Sequence, residues 1–181
     1  MANICSFSMK VKGNKEDIIQ FYRALNQKGK IWMGRGAETD LGFNDDETAF
    51  MSGWCKWSII SALIDNAISM RREPSRWSFG DGVDRDEIEF ITLYEACKRW
   101  NLVMEVYSEE CGMQFQEHFI CDKGDVICEE CVPWEEYDVY EYETKEEAEE
   151  DLEVKFTDEE WKNQDDGRIT RGGFENWDFE I

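Results

Sequence analysis

The chain has 181 residues, with 42 Asp and Glu against 20 Lys and Arg, for a formal net charge of −22. That length holds one domain, or one domain with an extension. Hydrophobic residues make up 41% and aromatics 14%, which excludes a wholly disordered chain. The shortage of cations disfavours nonspecific binding to nucleic-acid phosphates and repels an anionic membrane surface, so the charge favours a basic partner: an enzyme with a phosphate-binding groove, a basic protein or a cation.

The charge is unevenly spread. From Trp134 to Ile181 there are 19 acids and 5 bases, and the first 133 residues hold 23 acids and 15 bases. Pro133, one of two prolines, falls where the composition shifts. The expected organisation is a mixed-charge domain over 1–131 and an acidic, aromatic extension over 132–181, packed on or beside it. No run approaches the roughly 18 apolar residues of a membrane span. The N-terminal residues lack the basic and long apolar regions of a signal peptide, so the expected location is the cytoplasm.

In chain order, Ile4 to Val11 alternates with period two, with Cys5, Phe7, Met9 and Val11 as the inward set. Asn14 is a good helix N-cap, with Glu16 and Asp17 in the first turn. Ile18, Phe21, Tyr22 and Leu25 then follow helical spacing, with Gly29 as a stop. Residues 31–50, with Gly34, Gly36 and Gly42 among polar residues, read as loop. Gly34-Arg35-Gly36 has no helix pattern after it, which argues against a phosphate loop.

Ala49 to Ile60 is apolar and aromatic and reads as a strand or a buried helix. Leu63 to Met70 reads as helix, and Arg71, Arg72, Pro74 and Ser75 as loop. Gly80-Asp81-Gly82 marks another loop. Ile88 to Trp100 sets Phe90, Leu93, Tyr94, Cys97 and Trp100 near helical spacing. Leu102 to Tyr107 reads as a strand. Phe115 to Ile120 and Val126 to Cys131 flank Asp122-Lys123-Gly124-Asp125 as a hairpin. This order predicts an α+β domain, with helices on one face of an antiparallel sheet and a ferredoxin-like split βαβ arrangement.

Several stretches resemble a known group: the opening strand before Gly13-Asn14-Lys15-Glu16, then Gly53-Trp54-Cys55-Lys56-Trp57, then Glu87 to Thr92 running into Trp100-Asn101-Leu102. A further stretch is a strand over Glu109 to Phe115 with a glycine-containing hairpin after it. Together they are similar to the ferredoxin-like proteins of phages and conjugative plasmids called YubB-like or Api92-like. The resemblance covers about residues 1–131 and brings no catalytic residues. It implies a mobile-element setting, and so the cytoplasm of a host bacterial cell; small acidic proteins from that setting commonly look like inhibitors of host defence nucleases, anti-CRISPR proteins among them.

Of seven cysteines, most should be buried thiols in a reducing compartment. Cys128-Glu129-Glu130-Cys131 is the sharpest motif. A zinc site there would need a second pair, so the alternative ligand set is Cys111, Cys121, Cys128 and Cys131, with His118 nearby. Redox chemistry would need the motif at a helix N-terminus. His118 is the only histidine. A Cys/His nucleophile pair is formally possible, and a half-exposed strand histidine is the plainer reading. Carboxylate pairs such as Asp45-Asp46, Asp84/Asp86 and Asp165-Asp166 are too common here to point to a cation site. The expectation is no cofactor and no catalysis.

The extension is the most distinctive segment. Glu135, Glu136, Asp138, Glu141 and Glu143 interleave with Tyr137, Tyr140 and Tyr142. Thr144 with Glu147 reads as a capping box for a helix over Lys145–Leu152 bearing Glu146, Glu149, Glu150, Asp151 and Glu153. Thr157 with Glu160 repeats the device for a helix carrying Asp158, Glu159 and Trp161. Gly172-Gly173 leads into Phe174, Trp177, Phe179 and Ile181, a final strand or docking segment.

One reading is a solvated acidic face. The other is a phosphate mimic, in which carboxylates occupy the Arg and Lys that normally hold nucleic acid. The functional expectation is a mobile-element inhibitor of a basic, nucleic-acid-handling host enzyme. Its most concrete form is an anti-CRISPR protein acting on an RNA-guided type II Cas nuclease with its guide RNA. The alternative is a small zinc- or thiol-containing interaction module without catalytic activity.

Overall fold

Strand β1, Ile4–Lys12, buries every second residue, and the buried set is Cys5, Phe7, Met9 and Val11. This computed structural model describes residues 3–73, 77, 79, 83–110, 112–113, 115–133, 137–162, 168–172, 174 and 177–181. Helix α1, Lys15–Leu25, starts at Asn14, whose side chain accepts the Glu16 N–H at 2.9 Å. It buries Ile18, Phe21, Ala24 and Leu25. It ends before Gly29, because Gln27 already takes the left-handed turn (φ 53°) and the Lys28 N–H closes on the Arg23 carbonyl.

The stretch expected to be loop over 31–50 instead contains three strands. These are β2 (Ile31–Met33), β3 (Glu38–Phe43) and the start of β4 (Thr48–Lys56). In β3 the outward residues are Glu38, Asp40 and Gly42, so a short edge strand reads as polar loop. The apolar stretch after Ala49 resolves as β4. A wide-turned π-helix, Ile60–Asp65, then runs into α2, Asn66–Arg72. Arg71 and Arg72 are therefore the last turn of a helix rather than loop. Pro74, Ser75 and Gly80 to Gly82 lie outside the described residues.

Gly34 has a packing role. The next N–H, of Arg35, donates to the Ala62 carbonyl of the π-helix at 3.0 Å. A Cβ at Gly34 would sit 2.0 Å from that oxygen, and φ there is +50°.

Ile88–Trp100 is not one helix. A 3-10 turn, Arg85–Glu87, precedes β5, Glu89–Ile91, which pairs in parallel with β2. Thr92 then caps α3, Leu93–Arg99, in a full capping box with Glu95. The Thr-x-x-Glu signature was in the sequence; the apolar spacing of Phe90 and Leu93 across the cap concealed it.

Strand β6 is Val103–Glu110, β7 Phe115–Asp122 and β8 Asp125–Val132. Glu109 to Phe115 is thus not a single strand. The Glu110 carboxylate accepts the N–H groups of Gly112 and Met113 and closes a turn there. Lys123 (φ 53°) and Gly124 (φ 99°) make the two-residue loop of the β7–β8 hairpin.

The main sheet has six strands in the order β3-β4-β1-β6-β7-β8, and every pairing is antiparallel. The fold class is α+β. The inward residues of β1, β4, β6 and β7 form one core with α1, the π-helix and α3. A satellite cluster of Trp32, Met70 and Phe90 sits over the β2–β5 pair. After β8, β9 (Tyr137–Glu141) pairs with β10 (Arg168–Gly172). Between them lie α4, Lys145–Asp151, and α5, Asp158–Lys162.

Candidate functional site

Two features stand out: the acidic helices after β9 and a buried polar cluster on the sheet face opposite the main helices. In α4 the Thr144 hydroxyl accepts the Glu147 N–H, and Glu147 accepts the N–H of Glu143 rather than that of Thr144. In α5 the box is reciprocal, with Thr157 accepting the Glu160 N–H and Glu160 accepting the Thr157 N–H.

The carboxylates of the two helices fall into two sets. Glu149 accepts Lys155 Nζ and the Phe156 N–H, and it is the least exposed of them. Asp158 pairs with Lys145 at 2.8 Å, and Asp151 accepts the Tyr142 hydroxyl at 2.6 Å. Hydrogen bonds to Lys155 hold the Glu149 carboxyl low, and those to Lys145 do the same for Asp158. By contrast, Glu146, Glu150, Glu153 and Glu159 are exposed and make no hydrogen bond or ion pair among the described residues; Glu153, expected on the helix, lies past its end, where the chain takes a left-handed turn (φ 53°).

The aromatics here pack locally, Trp161 on Phe156 and Tyr140 on Tyr142. Glu141 is exposed on β9. Glu135 and Glu136 lie outside the described residues, as do the side chains of Tyr137 and Asp138. Trp57, just after β4, is also exposed, at 51%. Its φ of 78° is a strained backbone for a bulky residue.

Residues 174 and 177–181 lie across the outer face of β6 and β7. Phe174, Trp177 and Phe179 all pack on Tyr107, and Phe179 also meets Phe50. The segment is the docking alternative, not a strand. Its backbone is tied down by side chains of the sheet: Gln116 accepts the Phe174 N–H, and Glu105 Oε2 accepts the N–H groups of Glu180 and Ile181. The Tyr107 hydroxyl donates to the Asp178 carbonyl. Burial, then the charge of Glu105, pushes that hydroxyl up to about 12.

Under this segment His118 is 6% exposed, stacked on Tyr107 at 4.0 Å, with Nε2 3.0 Å from Glu105 Oε1. It is buried rather than half-exposed, because the C-terminal segment covers it. Its Nδ1 lies 3.6 Å from Cys128 Sγ and 3.7 Å from Glu130 Oε2. The sequence gives no cue to Glu105 beyond its place on a strand, so its role was missed. Glu117, on the helix side of β7, was missed too. It is buried, accepts the Ile59 N–H and the Ser108 hydroxyl, and burial raises its pKa.

The cysteines of the Cys-x-x-Cys motif do not converge. A strand turns residues three apart to opposite faces, so Cys128 meets His118 while Cys131 lies opposite Glu117. Cys121 is buried in the main core against Cys97. Cys111 lies outside the described residues. Cys5 faces Cys55 across the β1–β4 pair, and both are buried. Burial, then the charge of Glu130, raises the Cys128 thiol, which leaves it a poor nucleophile beside His118.

A cleft beside α2, β5 and α3 is lined by Arg71, Arg85 and Arg99. Arg71 is held by both oxygens of Glu95, and Arg99 by both oxygens of Glu89. Those two cations are already neutralised in place.

No family model, curated protein or solved structure matches the chain. Among the described residues, no helix is long and apolar enough to cross a membrane.

Proposed function

We propose that the protein is a non-catalytic, cytoplasmic inhibitor that docks through its acidic C-terminal quarter on a basic, nucleic-acid-handling protein. The observation that carries this reading is the set Glu146, Glu150, Glu153 and Glu159. Glu146, Glu150 and Glu159 stand on the two capped helices and Glu153 just past the end of α4, and none of the four is in an ion pair among the described residues. Caps fix the helix ends, so the charges are presented with little ordering cost on binding. Carboxylates in such an array match the Arg and Lys that hold phosphates. The remaining acids of α4 and α5 brace the helices.

The most concrete target is an RNA-guided type II Cas nuclease, whose channel for the guide–target duplex is strongly basic. Support for the mobile-element setting comes from the sequence resemblance and from the strand order β3-β4-β1-β6. With α1 after β1 and helices between β4 and β6, that order is the one a split βαβ, ferredoxin-like domain would have. Strands β7 and β8 then extend it.

The test is capture of a guide-loaded type II Cas nuclease by the full chain across a salt series. Capture at low salt that falls steeply with added salt supports the reading. No association at low salt overturns the named target.

A further inference from the structure

The sheet face under the C-terminal segment contains a second site, independent of the acidic helices. We propose that His118, Cys128 and Glu130 bind a divalent transition-metal ion, zinc first among them, with Glu105 as the group that orients the histidine.

The backbone places these residues. His118 and Glu130 are directly opposite in the β7–β8 ladder, and Cys128 lies two residues along β8 on the same face. Their ligand atoms all lie within 4.8 Å of one another. Zinc–sulfur, zinc–nitrogen and zinc–oxygen bonds of ordinary length at tetrahedral angles put N and S about 3.5 Å apart, and N and O about 3.3 Å apart. The observed separations from Nδ1 are 3.6 Å to sulfur and 3.7 Å to oxygen. Glu130 has 60% of its side chain exposed, so a small rotation of a free side chain closes the remaining gap.

The histidine is prepared for this role. Glu105 Oε2 accepts two backbone N–H groups, and Oε1 faces His118 Nε2 at 3.0 Å. A carboxylate has only acceptors to offer, so the Nε2 position carries the proton and Nδ1 keeps its lone pair. That lone pair is on the side of Cys128 and Glu130. The ring is held in orientation by Tyr107 on one face and by the edge of Phe174. A carboxylate behind a ligating imidazole both fixes the tautomer and raises its basicity.

Thiolate, imidazole and carboxylate together suit zinc better than calcium or magnesium, which take oxygen ligands. Three protein ligands leave a fourth position for water on the exposed side of Glu130.

The test uses the full chain, stripped with a chelator and titrated with zinc against a chromogenic competitor, and separately with cobalt(II). One zinc per chain is expected, with a thiolate-to-cobalt charge-transfer absorption. Cys128→Ser should remove that absorption, and both Cys128→Ser and Glu130→Gln should weaken zinc binding at least about tenfold. Glu105→Gln should weaken it by about ten- to a hundredfold. Cys131→Ser, on the other sheet face, should change nothing. Should Cys128→Ser fail to fold, the Glu130→Gln arm decides, since that side chain is exposed. Absence of a stoichiometric ion overturns the proposal, as does equal weakening by Cys131→Ser. Rapid alkylation of Cys128 that zinc does not slow would also overturn it, in favour of a nucleophilic thiol.

Discussion

Glu105 and Glu180 are 75 residues apart in sequence and are joined by a 2.7 Å hydrogen bond from the Glu180 N–H to Glu105 Oε2. The same carboxylate holds His118. Replacing it removes the acceptor for three donors at once, in a place water does not reach. Glu105→Ala is expected to cost about 2–4 kcal/mol, read from urea unfolding. Glu105→Gln, which keeps one oxygen, should cost clearly less. Equal losses would mean that the shape of the side chain matters here and its hydrogen bonds do not.

The two sets of carboxylates on and just after α4 and α5 should separate by experiment. Reversing Glu146, Glu150, Glu153 and Glu159 to Lys is expected to abolish capture of the basic partner while leaving the far-ultraviolet circular dichroism unchanged. Glu149→Ala should do the opposite. It frees Lys155 and the Phe156 N–H, so amide exchange should quicken around Phe156 while capture persists. Capture that survives the four reversals would return the charge to a solubility role.

At Gly34 the left-handed φ and the approach to the Ala62 carbonyl act together. Gly34→Ala should destabilise the fold by more than about 2 kcal/mol, seen as a lower urea midpoint. Gly29→Ala is the comparison. Its φ is also positive, but a Cβ there meets nothing within 4 Å, so only the backbone cost of roughly 1 kcal/mol remains.

The Arg99–Glu89 and Arg71–Glu95 pairs give a signed pH effect. Hydrogen bonding from Arg99 holds the Glu89 carboxyl below its ordinary value of 4.5. Burial pushes Glu95 up, but its bonds to Arg71 and Thr92 outweigh that and leave it lowered. A lowered carboxyl stabilises the fold above the ordinary value, and that contribution disappears as pH falls through the lowered one. Both pairs are partly exposed, so each contributes under about 1 kcal/mol after screening. Thermal unfolding followed from pH 7 to pH 3 should show a shallower loss below about pH 4.5 in Arg71→Gln/Arg99→Gln than in the parent.

Much of the main sheet was legible in the sequence. The alternation of Cys5, Phe7, Met9 and Val11 named the buried face of β1, Asn14 named the start of α1, and Lys123-Gly124 named the β7–β8 turn. These are local signals, set by side-chain period and turn chemistry. What stayed hidden depends on distant partners. Strand β2 exists because β5 pairs with it in parallel across 58 positions of chain, from Ile31 to Glu89, and three residues carry no period of their own. The Cys-x-x-Cys motif suggested paired thiols, yet the pleat of β8 turns Cys128 and Cys131 apart. The cluster around His118 was legible only in part: the hairpin over 115–131 set His118 near Cys128, but nothing pointed to Glu105 or to the cover above them. The full cluster needs β6 and the C-terminal segment brought onto that hairpin, and no spacing in the sequence encodes that.

The ends of the six-stranded sheet have a colloidal consequence. Its two outer strands are β3 and β8; Asn26 and Tyr22 already hold the Thr39 N–H and carbonyl on β3, and the outer backbone groups left open on either border could template the addition of a strand from another molecule. Glu38 and Asp40 stand exposed on the first, and Asp125, Glu129 and Glu130 on the second. A second copy approaching either border meets its own charge. At neutral pH the sheet should stop growing at six strands by mutual repulsion. Once these carboxylates are protonated, or masked by concentrated salt, the same two borders become the places where copies would begin to stack edge to edge.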